Sequence, residues 1–172
     1  GTYSILSTSE EEEIARDYIC FGNPDVTVIV VDSTVLERNL NLVFKIMEIT
    51  DNIIVCVNLL DEAKKKKIKI NLKKLEELIG VPVVGTTARD KKTLDNLKET
   101  IYKVCEEKII QNPNKMTYIK PIEENINLLE DELIKVYNQE PTEPEKRGIT
   151  TVFKNDKISK KLYRWISIKL ID

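Results

Sequence analysis

Two apolar runs separated by one helix's length of chain constrain this sequence most. Thr27-Val28-Ile29-Val30-Val31-Asp32 shows no polar alternation, the pattern of a strand covered on both faces. Ile53-Ile54-Val55-Cys56-Val57 has the same character and ends in Asn58-Leu59-Leu60-Asp61. Between the runs, Leu40, Leu42, Val43, Ile46, Met47 and Ile49 recur at roughly helical spacing. Strand, helix and strand in this order predict a parallel βαβ unit, whose crossover is almost always right-handed. The expected fold class is therefore α/β, with a parallel sheet and flanking helices. In open sheets of this kind ligands sit outside the carboxyl ends of the strands, which is where Asn58 and Asp61 fall.

An Asn and an Asp three residues apart at a strand end can read a guanine base. The carboxylate accepts from the ring N1–H and the exocyclic amine, a donor pair that adenine lacks, while the amide donates toward purine acceptors and braces the loop. Such a site rejects the wrong base because its polar groups would be left unpaired. The plainer alternative is that Asn58 ends the strand and Asp61 caps a helix over 62–66.

Composition narrows the classes. The chain has 172 residues, 33% of them charged, with a net charge of -2, so there is no bulk electrostatic case for nucleic acid. No apolar run approaches the roughly 18–20 residues that span a bilayer, and the polar, acidic N-terminus does not read as a signal peptide. Cys20, Cys56 and Cys105 are widely spaced and are expected to be reduced thiols in a cytosolic protein. The absence of histidine removes His-based catalysis and the commonest metal ligand.

Taken in order, Ser9 with Glu12 reads as a capping box for a helix reaching Ile19. Residues 21–25 form a turn by composition, and a helix opens at Leu36. Lys64–Lys67 reads as a solvated face. Leu72, Leu75, Leu78 and Ile79 mark a helix closed by Gly80. Val81–Ala88 is the third strand, and Asp90 caps a helix carrying Leu94, Leu97, Ile101, Val104 and Cys105. From Asn112 the alternation stops. A helix over 121–137 carries Ile122, Ile126, Leu129, Leu133 and Val136 as an inward stripe. Residues 139–148 read as a linker, and a last helix over 156–171 turns Ile158, Leu162, Trp165, Ile166 and Leu170 inward.

Several motifs in this order carry a resemblance. Gly1-Thr2-Tyr3-Ser4, then Ala15-Arg16-Asp17-Tyr18-Ile19, resembles the third G-motif and second switch of the ferrous iron transport protein B (FeoB) family. Leu36-Glu37-Arg38-Asn39-Leu40 is similar to that family's helix start, Asn58-Leu59-Leu60-Asp61-Glu62-Ala63 to its guanine motif, and Val81-Pro82-Val83-Val84-Gly85-Thr86-Thr87-Ala88-Arg89 to its fifth G-motif. Tyr163-Arg164-Trp165-Ile166 resembles the end of its helical spacer.

The resemblance implies a partial P-loop-GTPase-type (Rossmann-like) sheet over 1–112, the C-terminal part of a G domain, followed by an all-α spacer over 113–172. It implies that Asn58 and Asp61 hold the guanine of GTP or GDP. Thr87 and Ala88 would close on the base, the Ala88 N–H donating to its carbonyl oxygen, and Gly1 would sense the γ-phosphate. Leu59 stands where small GTPases commonly have Lys, and Thr87 where they have Ser. The 172 residues contain no G-x-x-x-x-G-K-[ST] loop, and the Mg²⁺ ligands of the intact family member are missing too. The expectation is a GTPase fragment that does not hydrolyse GTP by itself. It would belong to the cytoplasmic side of a bacterial inner-membrane iron transporter and partner that transporter's membrane domain. The strand Val26–Val31 would be an apolar edge prone to self-association. The alternative is a non-enzymatic α/β interaction domain without a nucleotide role.

Overall fold

The computed structural model describes residues 10–114, 117–138 and 160–171. The chain divides into two compact units, Gly1–Lys115 and Met116–Asp172.

In the first unit the described residues form a parallel sheet of order β1-β2-β3: β1 (Thr27–Asp32), β2 (Ile53–Asn58) and β3 (Val83–Gly85). The register pairs Val28 with Ile54, Val30 with Cys56 and Asp32 with Asn58. The helices are α1 (Glu10–Phe21), α2 (Leu36–Met47), α3 (Leu60–Lys65), α4 (Leu72–Ile79) and α5 (Lys91–Cys105).

The two apolar runs have different fates. All of Ile53–Val57 is buried, as its composition predicts. In β1, Ile29 and Val31 are buried, but Val30 is 61% exposed. The expectation of cover on both faces thus fails at one residue. Ile54, Val84 and Val104 form a core with Val26, Val28, Leu97, Ile101 and Ile109 against it, and Val30 lies beyond that cluster at the free edge of the described sheet.

Local chemistry fixes the helix ends. The Asn71 side chain accepts from Lys74 N–H at the start of α4, and Asp90 accepts from Lys92 N–H at the start of α5. Gly80 closes α4 in the left-handed region at φ 75. A Cβ there would come far too close to the Asn112 carbonyl. The chain leaving α5 returns to this point: Asn112 N–H donates to Gly80 O (3.1 Å) and Asn114 N–H to Ile79 O (2.9 Å). Beside them, Gln111 Oε1 accepts from Ile53 N–H (2.9 Å).

Three further expectations need correction. β3 is Val83–Gly85 rather than Val81–Ala88: Pro82 has no N–H to give to the ladder, and after Thr86 the backbone leaves to form a loop. The helix after β2 begins at Leu60, with Leu59 rather than Asp61 at its N-cap position. A turn of 3₁₀ helix, Ser33–Val35, separates β1 from α2. Ser9 lies outside the described residues.

The second unit pairs α6 (Lys120–Asn138) with α7 (Lys160–Ile171). Ile126, Leu162 and Ile168 are buried. The Arg164 guanidinium donates to both oxygens of Glu123 (3.0 and 2.8 Å), a fork-to-fork pair that holds the Glu123 carboxyl below the usual carboxylate range. Val136 and Leu170, expected inward, are each 64% exposed. Each lies near the end of its helix. Ser167 and Ile168 are buried near the end of α7 instead. The expected linker over 139–148 and Ile158 lie outside the described residues.

Candidate nucleotide-base site

The carboxyl ends of β2 and β3 carry the predicted residues. β2 delivers Asn58 at its last position, and α3 starts two residues later with Asp61 in its first turn. β3 runs into Thr86-Thr87-Ala88. Two hydrogen bonds join the loops directly: Leu60 N–H donates to Thr86 O (3.3 Å), and Thr86 Oγ1 donates to Asn58 Oδ1 (3.1 Å). Thr86 N–H donates to Val57 O (2.8 Å), extending the ladder one residue past β3. The structure therefore brings Asn58, Asp61, Thr87 and Ala88 to one end of the sheet. Gly1 lies outside the described residues.

Leu59 makes the turn between strand and helix at φ 62, a conformation costly for a residue with a branched side chain. Its surroundings hold it there. Its carbonyl accepts from Glu62 N–H and Ala63 N–H (both 3.0 Å) and from Ser33 Oγ (2.7 Å). Ser33 is 1% exposed, so its hydroxyl is a buried tie from the end of β1 to the Asn58–Asp61 loop. Gly85 makes room on the other side: a Cβ there would meet Leu60 Cδ1 at 2.5 Å and Leu72 Cδ1 at 2.6 Å. The loop is thus braced from both neighbouring strands.

Thr93 organises the second loop. Its hydroxyl donates toward Asp90 O (2.8 Å) and Thr87 O (3.1 Å) and accepts from Thr87 N–H (3.1 Å). Asp90 N–H donates to Thr87 O (2.7 Å). The turn leaves Ala88 exposed at its tip. The Asp61 carboxylate sits near Lys65, whose ammonium Glu62 and Asp61 hold above the usual lysine range, the bond from Glu62 being the largest cause. Asp61 thus presents its carboxylate in the first turn of a helix, and a carboxylate is the acceptor-only group that reading a pair of donors requires.

Sequence reasoning missed Ser33 and the role of Thr86. Thr86 adjoins the Thr87-Ala88 pair, so position alone offered a signal for it. Ser33 lies 26 residues from the carbonyl it holds, and nothing local marks it. Lys64–Lys67 is exposed as expected, yet the same stretch rims an apolar groove of about 490 Å³ with Leu60, Ile68 and Leu72. Among the described residues there is no cluster able to hold a metal ion, and no helix is long and apolar enough to cross a membrane.

A parallel sheet whose strand ends set an Asn-x-x-Asp loop against a Thr-Thr-Ala loop defines part of a GTPase-type α/β domain. The chain belongs to the ferrous iron transport protein B family, whose family model matches residues 1–101. The Fe(2+) transporter FeoB of Helicobacter pylori is 33% identical over 145 residues, covering 84% of this chain and 18% of that protein. The chain thus spans about a fifth of the length of that relative. Among solved structures, the FeoB G-domain from Methanococcus jannaschii is 42% identical (TM-score 0.59; 62% of this chain, 66% of that one). The cytosolic domain of T. maritima FeoB in a GDP form is 27% identical (TM-score 0.69; 98% and 75%). The mGMPPNP-bound NFeoB from S. thermophilus is also 27% identical (TM-score 0.73; 99% and 55%).

Proposed function

We propose that this chain is the base-recognising part of the cytosolic GTP-binding domain of a ferrous iron transporter. The observation that carries the reading is the hydrogen-bonded junction of the Asn58–Asp61 and Thr86–Ala88 loops at the carboxyl ends of β2 and β3. Asp61 accepts from guanine N1–H and the 2-amino group. Asn58 donates toward N7 and the 6-carbonyl oxygen, and the Ala88 N–H donates to that same oxygen. Thr87 shapes the closing loop, and Gly1, outside the described residues, corresponds in sequence to the γ-phosphate switch glycine. Relatives bound to GDP and mGMPPNP support the ligand class.

Residues 1–112 then correspond to the C-terminal part of a G domain and 113–172 to its helical spacer. The parent protein acts at the cytoplasmic face of the bacterial inner membrane, with its own membrane domain as partner, and GTP binding and hydrolysis there regulate iron uptake. Phosphoryl transfer needs a phosphate cradle and Mg²⁺ ligands. The 172 residues supply no phosphate-loop motif, so this chain by itself binds the base side and does not hydrolyse GTP.

The test is a calorimetric titration with GDP and ADP, on this chain and on the full-length polypeptide that carries it. The full-length protein should prefer GDP, and Asp61→Asn should cut that preference by about a hundredfold, the worth of two charge-assisted hydrogen bonds. No discrimination in either protein sinks the reading in favour of an interaction domain without a nucleotide role.

The exposed edge of β1 favours a second property. Val30 is 61% exposed on an apolar strand that pairs on one side only among the described residues, and such edges template pairing with other chains. This chain self-associates through Val26–Val31. A monodisperse monomer in light scattering rules that out.

A further inference from the structure

The segment that follows the Asn58–Asp61 loop forms a surface that the base site does not use. Residues 64–74 hold seven of the chain's 27 basic residues and no acidic one, in a chain of net charge -2. Lys65 pairs with Glu62 and Lys74 with Glu77. The other five lysines have no acidic partner among the described residues. Three of them, Lys64, Lys67 and Lys69, edge the groove of about 490 Å³, which Leu60, Ile68, Ile70 and Leu72 line. That volume falls within the range of about 300–1,000 Å³ typical of ligand pockets.

The backbone keeps a charge on this edge at a position where a side chain is costly. α3 ends with Ile68 N–H donating to Ala63 O (2.9 Å) and Lys67 N–H to Lys64 O (3.1 Å), a helix ending that commonly places glycine in the left-handed region. The residue there is Lys67, at φ 59. Behind the groove, Leu60 and Leu72 are the leucines that close over Gly85. At its mouth, Ile68 is 38% exposed.

We propose that this groove docks an acidic amphipathic helix of a partner protein, with apolar side chains on the floor and carboxylates against the lysines. Helices in grooves are read through anchors at i, i+4 and i+7. The unpaired lysines supply the complementary charge that steers and orients such a helix. An anionic lipid surface fits less well. Leu60, Ile70 and Leu72 are half-buried in a concavity, and residues 58–80 contain no aromatic side chain to seat at a bilayer interface. The docked helix lies against Leu60, itself part of the Asn58–Asp61 loop, so the partner sits behind the base site. The proposal goes beyond the guanine reading and does not depend on it.

The test uses a fluorescein-labelled peptide of about 15 residues, with leucines at i, i+4 and i+7 and glutamates over the rest of its surface. A scrambled isomer keeps the composition and loses the apolar face. Fluorescence anisotropy with this chain should show the patterned peptide binding one to one, at least about tenfold tighter than the scrambled one. Lys67→Glu with Lys69→Glu should weaken it more than about tenfold, and Ile68→Ser about fivefold. All three positions are exposed, so the unfolding midpoint should hold. Lys91→Glu with Lys92→Glu makes the same change of net charge on α5 and should leave affinity within about twofold. Equal binding of the two peptides, or of neither, overturns the proposal, as does an α5 variant as impaired as the Lys67 and Lys69 variant. Two further results overturn it by naming another occupant. One is co-sedimentation with phosphatidylglycerol–phosphatidylcholine vesicles that needs Lys67 and Lys69, without preference for the patterned peptide. The other is self-association abolished by Ile68→Ser, again without that preference, which assigns the groove to a second copy.

Discussion

β1 and β2 are near-twins in composition, pair residue for residue, and end side by side at Asp32 and Asn58. Their surroundings differ completely. β2 has a neighbour on each side and is buried along Ile53–Val57, while β1 has a neighbour on one side among the described residues and exposes Val30. Their ends differ too. Asp32 turns back on its own chain, its Oδ1 accepting from Thr34 N–H at 2.7 Å. Asn58 is held from a different strand, by Thr86. Apolar composition therefore sets that a segment becomes a strand, and position in the sheet sets how much each side chain contributes and which strand end is free to build a site.

The sharpest test of this difference is Ile54→Ala on β2. Ile54 is fully buried in the core with Val84 and Val104, so chemical denaturation should show a loss of about 3 kcal/mol from lost transfer energy plus the cavity. A loss under about 1 kcal/mol would mean that the α5 side of the sheet collapses around the gap and that β2 is no more central than β1. The tie between the two strands ranks next. Ser33→Ala removes the buried hydroxyl from the Leu59 carbonyl and should cost about 1 kcal/mol, since that oxygen keeps its two backbone donors. Base affinity should weaken as well, because the Leu59 turn loses its brace; stability falling while the GDP:ADP ratio and affinity hold would confine Ser33 to the scaffold. The smallest effect belongs to β1. Val30→Lys should leave the unfolding free energy within about 0.5 kcal/mol and reduce any self-association measured by sedimentation, since a lysine on an edge opposes pairing.

Much of this was legible in the residues. The uninterrupted Ile53–Val57 run gave a buried strand because nothing polar in it needed water. Asp90 and Gly80 announced helix ends because one supplies a capping carboxylate and the other tolerates a positive φ. The juxtaposition of Asn58 with Thr86–Ala88 followed from parallel connectivity, which puts both strand ends on one edge. What stayed hidden depends on distance in sequence or on neighbours. The exposure of Val30 reflects its place beyond the Ile54–Val84–Val104 cluster that Val26 and Val28 pack against, which valine itself does not announce. Ser33 acts on a carbonyl 26 residues away. Leu59 adopts a left-handed turn that leucine does not favour, so no propensity marks it; Asp61 was the better cap by composition, and the turn displaced it by two residues. Val136 and Leu170 follow the helical period of their stripes, but a period does not say how far along a helix its partner reaches.

The return of the chain to Gly80 also has a mechanical side. Asn112 and Asn114 are pinned to the end of α4, and Gln111 to the first residue of β2. These bonds tie the chain leaving α5 to two elements at once, so a displacement of residues 111–114 is felt by α4 and β2 together. It enters β2 at Ile53, the end of the strand opposite Asn58. The anchor and the Asn58–Asp61 loop share one strand and occupy its two ends, so the strand works as a strut, stiff along its length, between Gln111 at one end and Thr86 at the other.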